Sequence, residues 1–142
     1  MAVITDVADA VVAELNAGSF SLPFTAERLY LPVFELADMQ ALHVTVVPKS
    51  VATDAAARTQ NQQDYAIDVA VQQKLSSTAN ALIDELVTLV EELADHFRFR
   101  RLENYPDAIW LKTEQKPVYA PEHLEQLRQF TSLFTLMFRV IR

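Results

Sequence analysis

Cysteine is absent from the 142 residues. That excludes a disulfide framework, thiolate metal ligation and a cysteine nucleophile, and it makes a reducing cytoplasm the easiest compartment. Glycine occurs once, at Gly18. Glycine-rich phosphate loops, the dinucleotide-binding fingerprint and the serine nucleophile elbow all need backbone at positive φ or in very close approach, so they fall together. Positive charge is also scarce: 12 Lys and Arg against 19 Asp and Glu give a formal net charge of −7. Affinity for nucleic acid is built largely from neutralised phosphates, and an acidic chain is poorly suited to gripping them. No apolar run approaches the roughly 18 residues of a membrane span. Met1 to Asp6 holds no basic stretch of the kind that opens an export leader. The expectation is a soluble protein made in a cytoplasm, with no membrane partner.

What is present fits one domain over residues 1–142, large enough to bury roughly two thirds of its unfolded surface around a single core. Its charge is uneven. Residues 1–71 hold nine acids and three bases, whereas residues 72–142 hold ten and nine. Thr5 or Asp6 can cap a first helix with Val7, Val11, Val12 and Leu15 at helical spacing. Gly18 is expected to end it in the left-handed conformation. Ala26 to Leu36 reads as extended, with Pro32 marking an edge strand or bulge. Leu42 to Pro48 and Tyr65 to Val71 alternate as strands. Ser76, Ser77 or Thr78 can cap a long helix with Leu82, Leu86, Leu89, Val90, Leu93 and Phe97 on one face and Asp84, Glu85, Glu91, Glu92 and Asp95 on the other. Ile109 to Leu111 is a short strand, followed by a turn around Pro117 and a helical turn from Pro121 through Leu127. The end of the chain has period two: Phe130, Phe134, Leu136, Phe138 and Val140 alternate with Thr131, Thr135 and Arg139. The fold class expected is α+β, an antiparallel or mixed sheet of about five strands. Two main helices pack on one face, and a long loop joins two central strands.

That loop is the least ordinary segment. Lys49 to Asp64 spans sixteen residues rich in Ala, Gln, Thr and Asn, with no Gly. A hairpin that only reverses direction uses two to five residues. Connections beyond about 12–15 residues in compact domains are usually functional or disordered. The segment is therefore read as a protruding arm that orders on a partner, with Lys49, Arg58, Gln60, Asn61, Gln62 and Gln63 as adaptable contact groups. The terminal strand adds a second candidate surface. Its other face carries Leu133, Met137 and Ile141, and a strand apolar on both sides needs covering twice, which makes these three possible subunit-contact residues.

Other chemistry has a plain structural explanation. His43, His96 and His123 are scattered and lack metal-site spacing, with His96 expected on the polar side of its helix. The helix carboxylates lie opposite the apolar stripe, where a solvated surface puts them. Phe97-Arg98-Phe99-Arg100-Arg101 mixes aromatic and basic residues as a nucleic-acid surface would. It also follows a helix C-terminus, where cations stabilise the unpaired carbonyls. Trp110 and the Phe130, Phe134 and Phe138 stripe read as core. No catalytic, cofactor-binding or metal residue is assigned, and an enzyme is not expected.

The whole layout resembles small tail-terminator proteins of long-tailed bacteriophages (the tail-completion or minor tail proteins of the lambda-type neck). The residues that carry the resemblance are the first helix at Thr5–Gly18, the strand Leu42–Pro48, the arm, and Asp64-Tyr65-Ala66-Ile67-Asp68-Val69-Ala70-Val71-Gln72. The helix Leu82–Phe97 and the closing run from Tyr119-Ala120-Pro121-Glu122 through Phe130-Thr131-Ser132 to the last strand complete it. The resemblance implies a structural subunit of a virion tail or neck, from a phage or prophage and made in the bacterial host. Such a subunit would assemble with itself into a six-membered ring, sit on the tail-tube protein, end polymerisation and face the head-completion or connector protein. DNA would pass through without specific binding, and six copies at −7 each would carry −42, a charge that opposes sticking if part of it faces the bore. The alternatives are another neck or minor tail protein, or a small-molecule-binding α+β domain or enzyme.

Overall fold

A computed structural model describes residues 2–30, 42–75, 80–115 and 129–141. In chain order these form α1 (Val3–Ala17), β1 (Ala26–Arg28), β2 (His43–Ala57), β3 (Gln60–Lys74), α2 (Asn80–His96), β4 (Arg101–Leu102), β5 (Tyr105–Glu114) and β6 (Gln129–Ile141). The strands make one six-stranded sheet in the order β1-β2-β3-β6-β5-β4. β1 runs parallel to β2, and the other neighbouring pairs are antiparallel. The sheet is therefore mixed, and it curls into a half-barrel. The α+β class holds, with six strands rather than about five. The strand that sequence reading lacked is β4, whose two residues are too few to show any period.

Period two in β6 decides which face is core. Phe130, Phe134, Leu136 and Phe138 are fully buried. The register sets Phe138 beside Tyr65, Leu136 beside Ile67 and Phe134 beside Val69. Val69 and Val71 in turn pair with Val46 and Val44, extending the same apolar face into β2. Onto it pack Val7, Val11 and Leu15 of α1 and Leu86, Leu89, Val90 and Leu93 of α2. Both helices thus cover one face of the sheet. Burying each Phe, Leu or Val fully contributes about 1.5–3 kcal/mol before conformational entropy is counted. Leu82, expected in this stripe, is 37% exposed, because the face of α2 turns out of the core near the helix start.

Several local details differ from the expectation. α1 begins at Val3 with Ala2 as its N-cap and no side-chain cap. Thr5 already lies within the first turn, so its hydroxyl donates back to the Ala2 carbonyl at 2.7 Å. Gly18 is extended, at φ −79° and ψ 162°, not left-handed. Its missing Cβ leaves room for a ring: a Cβ would lie 2.7 Å from the tip of the Phe20 ring, which stacks on Phe24 and meets the edge of His96. The positive φ falls instead on Phe99, at 58°, where an L-residue costs about 1–2 kcal/mol. His96 does not face solvent. Its Nε2 lies 3.0 Å from Glu14 Oε2, and the other Glu14 oxygen accepts the Glu103 backbone N–H at 2.9 Å. The expectations for Pro32 and the rest of 31–36, for Ser76, Ser77 and Thr78 as caps, and for Pro117, Pro121 through Leu127 and His123 lie outside the described residues.

Candidate assembly surfaces

The segment read as a long loop is strand on both sides. β2 and β3 are each fifteen residues long, and their ladder runs from His43↔Gln72 out to Ala57↔Gln60. Only Arg58 and Thr59 lie between them. The two-residue hairpin turns that match strand twist need positive φ, yet neither Arg58 nor Thr59 has it. The register slips by one residue between Ala55 and Ala57, and a bulge of this kind supplies the extra local twist instead. The polar composition concealed the strands because no bulky apolar residue alternates in it. The ladder there is held by backbone hydrogen bonds, which any side chain permits.

What this produces is a projecting hairpin. Every residue from Lys49 to Asn61 is exposed. Lys49, Arg58, Gln60 and Asn61 therefore lie on its open part, and Gln62 and Gln63 are half-buried at its base. The base is fastened. Arg139 of β6 grips Asp64 through two bonds, Nε to Oδ1 at 2.9 Å and an Nη to Oδ2 at 3.1 Å. With its side-chain amide turned to match, Gln62 accepts from the same guanidinium at 3.0 Å. The bond to Asp64 raises the Arg139 pKa further above its ordinary value, so this cation stays charged throughout the accessible pH range. Lys49 Nζ approaches Asp68 at 3.8 Å, and Asp68 also accepts from the Thr135 hydroxyl at 2.6 Å. The Gln63 side chain accepts from the Tyr65 hydroxyl.

The hairpin also carries an open edge. β1 pairs with β2 only at Val44, Thr45 and Val46, so among the described residues no strand covers the outer side of β2 from Val47 to Ala57. Exposed edges invite pairing, and proteins usually blunt them with Pro, Lys or a bulge. Pro48, Lys49 and the register shift between Pro48 and Ser50 do so at the start of the edge. From Val51 to Ala57 the only charge is Asp54.

The helix-free face of the sheet is the second surface. It holds Leu133, Met137 and Ile141 of β6 beside Ala70, Ala66 and Gln62 of β3. Leu133 is 37% and Ile141 49% exposed, and Met137 is half-buried. The three apolar positions thus share a face with the hairpin base, next to Arg139 and Asp64.

The aromatic and basic run after α2 divides by role. Phe97 is fully buried and meets Phe138 edge-on. Arg100 Nε donates to the His96 carbonyl at 2.8 Å, so it serves the helix C-terminus as a cation should. Phe99, between Arg98 and Arg100, stands out at 88% exposed. Against the first half of α2, Ser21, Leu22, Asp84, Glu85 and Thr88 line an open groove of about 360 Å³. Among the described residues, no group of three or more His, Cys, Asp or Glu is placed to hold a metal ion, and no helix is long and apolar enough to cross a membrane.

No family model matches the chain, and no curated protein does. Several solved structures are similar to it. One of them is a sheath/tube terminator of an extracellular contractile injection system (PVC) in the extended state, with 17% sequence identity and a TM-score of 0.47. The likeness covers 98% of this chain and 56% of that one, so the chain spans little more than half its length. A likeness this distant carries no argument about role.

Phe99 was the position that sequence reading passed over. Its run was noticed for charge, but a left-handed, exposed Phe leaves no trace in hydrophobic period. The available signal was negative. Phe97 completes the α2 stripe, and an aromatic two residues on cannot share that face of a helix.

Proposed function

We propose that this chain is a structural subunit that closes the end of a phage-type tail tube. Copies of it would form a ring, stop tube growth and present the joining surface to a head-side connector. The role is contact rather than catalysis, and DNA passes the ring without specific binding. The observation that supports this most is the β2–β3 hairpin, exposed at every residue from Lys49 to Asn61 and fastened at its base by Arg139 and Asp64. A stiff ribbon with small side chains and an open edge suits reaching onto a neighbouring protein and adding strand to strand. The exposed Leu133 and Ile141 at its base extend the same surface. The net charge of −7 per chain suits a ring that lets DNA slide past.

The test uses purified chain and polymerising tail-tube protein of the same genome. Electron micrographs should show added density at one tube end and shorter tubes as the chain is added. Tubes of unchanged length with bare ends would reject the proposal.

A further inference from the structure

The end of α2 places an aromatic side chain where folding gains least from it. Phe99 is 88% exposed and adopts φ 58°, a conformation that bulky L-residues rarely take. Strained, exposed residues of this kind point to function when the surroundings hold them in place. Here they do. The Arg100 backbone N–H bonds to the Phe97 carbonyl at 3.1 Å, Arg100 Nε anchors to the His96 carbonyl, and Trp110 braces the Phe99 ring edge-on at 5.2 Å and 69°. The result is a fixed knob with Arg98, Arg100 and Arg101 exposed around it. Arg and aromatic residues in this combination are the usual anchors of protein interfaces.

The complementary shape lies against the first half of the same helix. The groove of about 360 Å³ has Leu22 as its apolar floor and Asp84 and Glu85 on its rim. A second hollow shares Leu22 and Glu85 and adds Leu75, Leu82 and Leu86 together with Gln73 and Lys74, so apolar lining continues past the carboxylates toward a single lysine. An aromatic ring fits such a floor, and arginines beside it would meet the carboxylates in charge-assisted bonds. A chain does not fill its own groove, because Asp84, Glu85 and Thr88 lie eight to twelve residues before the helix end at His96, about 12–18 Å at 1.5 Å per residue.

We infer that the Arg98–Arg101 knob of one copy docks into the Leu22, Asp84 and Glu85 groove of the next. This rests on the reading of the chain as a ring subunit and names the contact that joins its copies. The occupant is a second copy because, among the described residues of this acidic chain, the knob gathers three exposed cations in one place, and the groove is acidic at its rim. Knob and groove are different surfaces, so the contact is head-to-tail, which yields a ring if the rotation closes and a filament if it does not.

The test is sedimentation velocity on the full chain over a wide concentration range, with two variants. Phe99→Gly removes the knob but keeps a residue that accepts positive φ. Asp84→Lys with Glu85→Lys reverses the groove rim at two exposed positions. Thermal melts by circular dichroism check that both variants fold. Wild type should sediment well above its 16.0 kDa chain mass, and each variant alone should weaken association at least tenfold. An equimolar mixture of the two holds one intact knob and one intact groove, so it should give a one-to-one complex of twice the chain mass and grow no further. Wild type that stays monomeric, variants that assemble like wild type, or a mixture that forms no pair would each overturn the inference. Its failure is distinguishable from failure of the tube-closing role: variants that still cap tubes as rings reject only this contact.

Discussion

Replacing Asp54–Gln62 with Asn-Gly shortens the hairpin and closes it on the Thr53↔Gln63 pair, which is already in register. The structure sets the expected cost. Three ladder pairs disappear, Asp54↔Gln62, Ala55↔Asn61 and Ala57↔Gln60, and apart from Gln62 the residues involved are exposed. Exposed changes of this kind usually fall within about 0.5 kcal/mol. The Gln62 contact with the Arg139 guanidinium, at 3.0 and 3.3 Å, is lost as well, but water can take its place at this solvent-reached cation. Arg139 keeps Asp64, so no charge is stranded. Against these losses, the shorter connection closes more easily by roughly 0.6 kcal/mol per halving of length. The net change is about 1 kcal/mol or less, a fall of roughly 2–4 °C in melting temperature for a domain of this size. Phe134→Ala, at a position with no exposure, should cost about 3–5 kcal/mol and serves as the contrast. Melting curves measure stability, and co-sedimentation with tail tubes measures function. The short hairpin should melt almost like wild type yet bind tubes at least tenfold more weakly, a loss of about 1.4 kcal/mol. A variant that unfolds would show the hairpin to be part of the core. One that folds and caps tubes normally would show it to be a bystander.

The remaining predictions concern packing and surface. Gly18→Ala should change stability by no more than about 1 kcal/mol, because the methyl moves only the tip of the Phe20 ring from 2.7 Å while alanine stiffens the unfolded chain at a backbone it can adopt; a larger loss of melting temperature would mean the ring is locked in place. Glu14→Ala should cost about 1–3 kcal/mol, since it strands the Glu103 N–H and leaves His96 without its acceptor; a denaturant titration with an unaltered midpoint would contradict this. Leu133→Asn with Ile141→Asn, at positions 37% and 49% exposed, should change stability by about 0.5 kcal/mol per site while weakening assembly, and equal sedimentation would remove that face from the interface.

Legibility in the sequence followed side-chain size. β6 was readable because Phe130, Phe134, Leu136 and Phe138 alternate with polar residues and fill the core. The same logic recovered β3 at Tyr65–Val71, the start of β2, and most of the α2 stripe. It failed from Lys49 to Asp64, where both strand faces meet water and pairing through the backbone leaves no period. Length was informative there even though conformation was not: too many residues for a plain turn did mean a protrusion. Gly18 shows the opposite limit. Composition marks it as unusual, but only the packed structure shows that the tip of the Phe20 ring, not a left-handed turn, occupies the space a Cβ would take. Phe99 lay beyond reach because backbone hydrogen bonds after α2 set its φ. Of the candidate contacts, Lys49, Arg58, Gln60 and Asn61 lie on the open hairpin and Leu133 and Ile141 on the exposed sheet face. Gln62 and Gln63 serve partly to hold its base.

In the proposed role the chain meets the end of a tube and closes it. Cryo-electron microscopy of tail tubes grown with the chain present tests it most directly. A ring of chains should stand on one end only, with the Lys49–Asn61 hairpins reaching onto adjoining subunits, and no tube should grow beyond it. Tubes that elongate freely, with the chain absent from their ends or scattered along their walls, would contradict it.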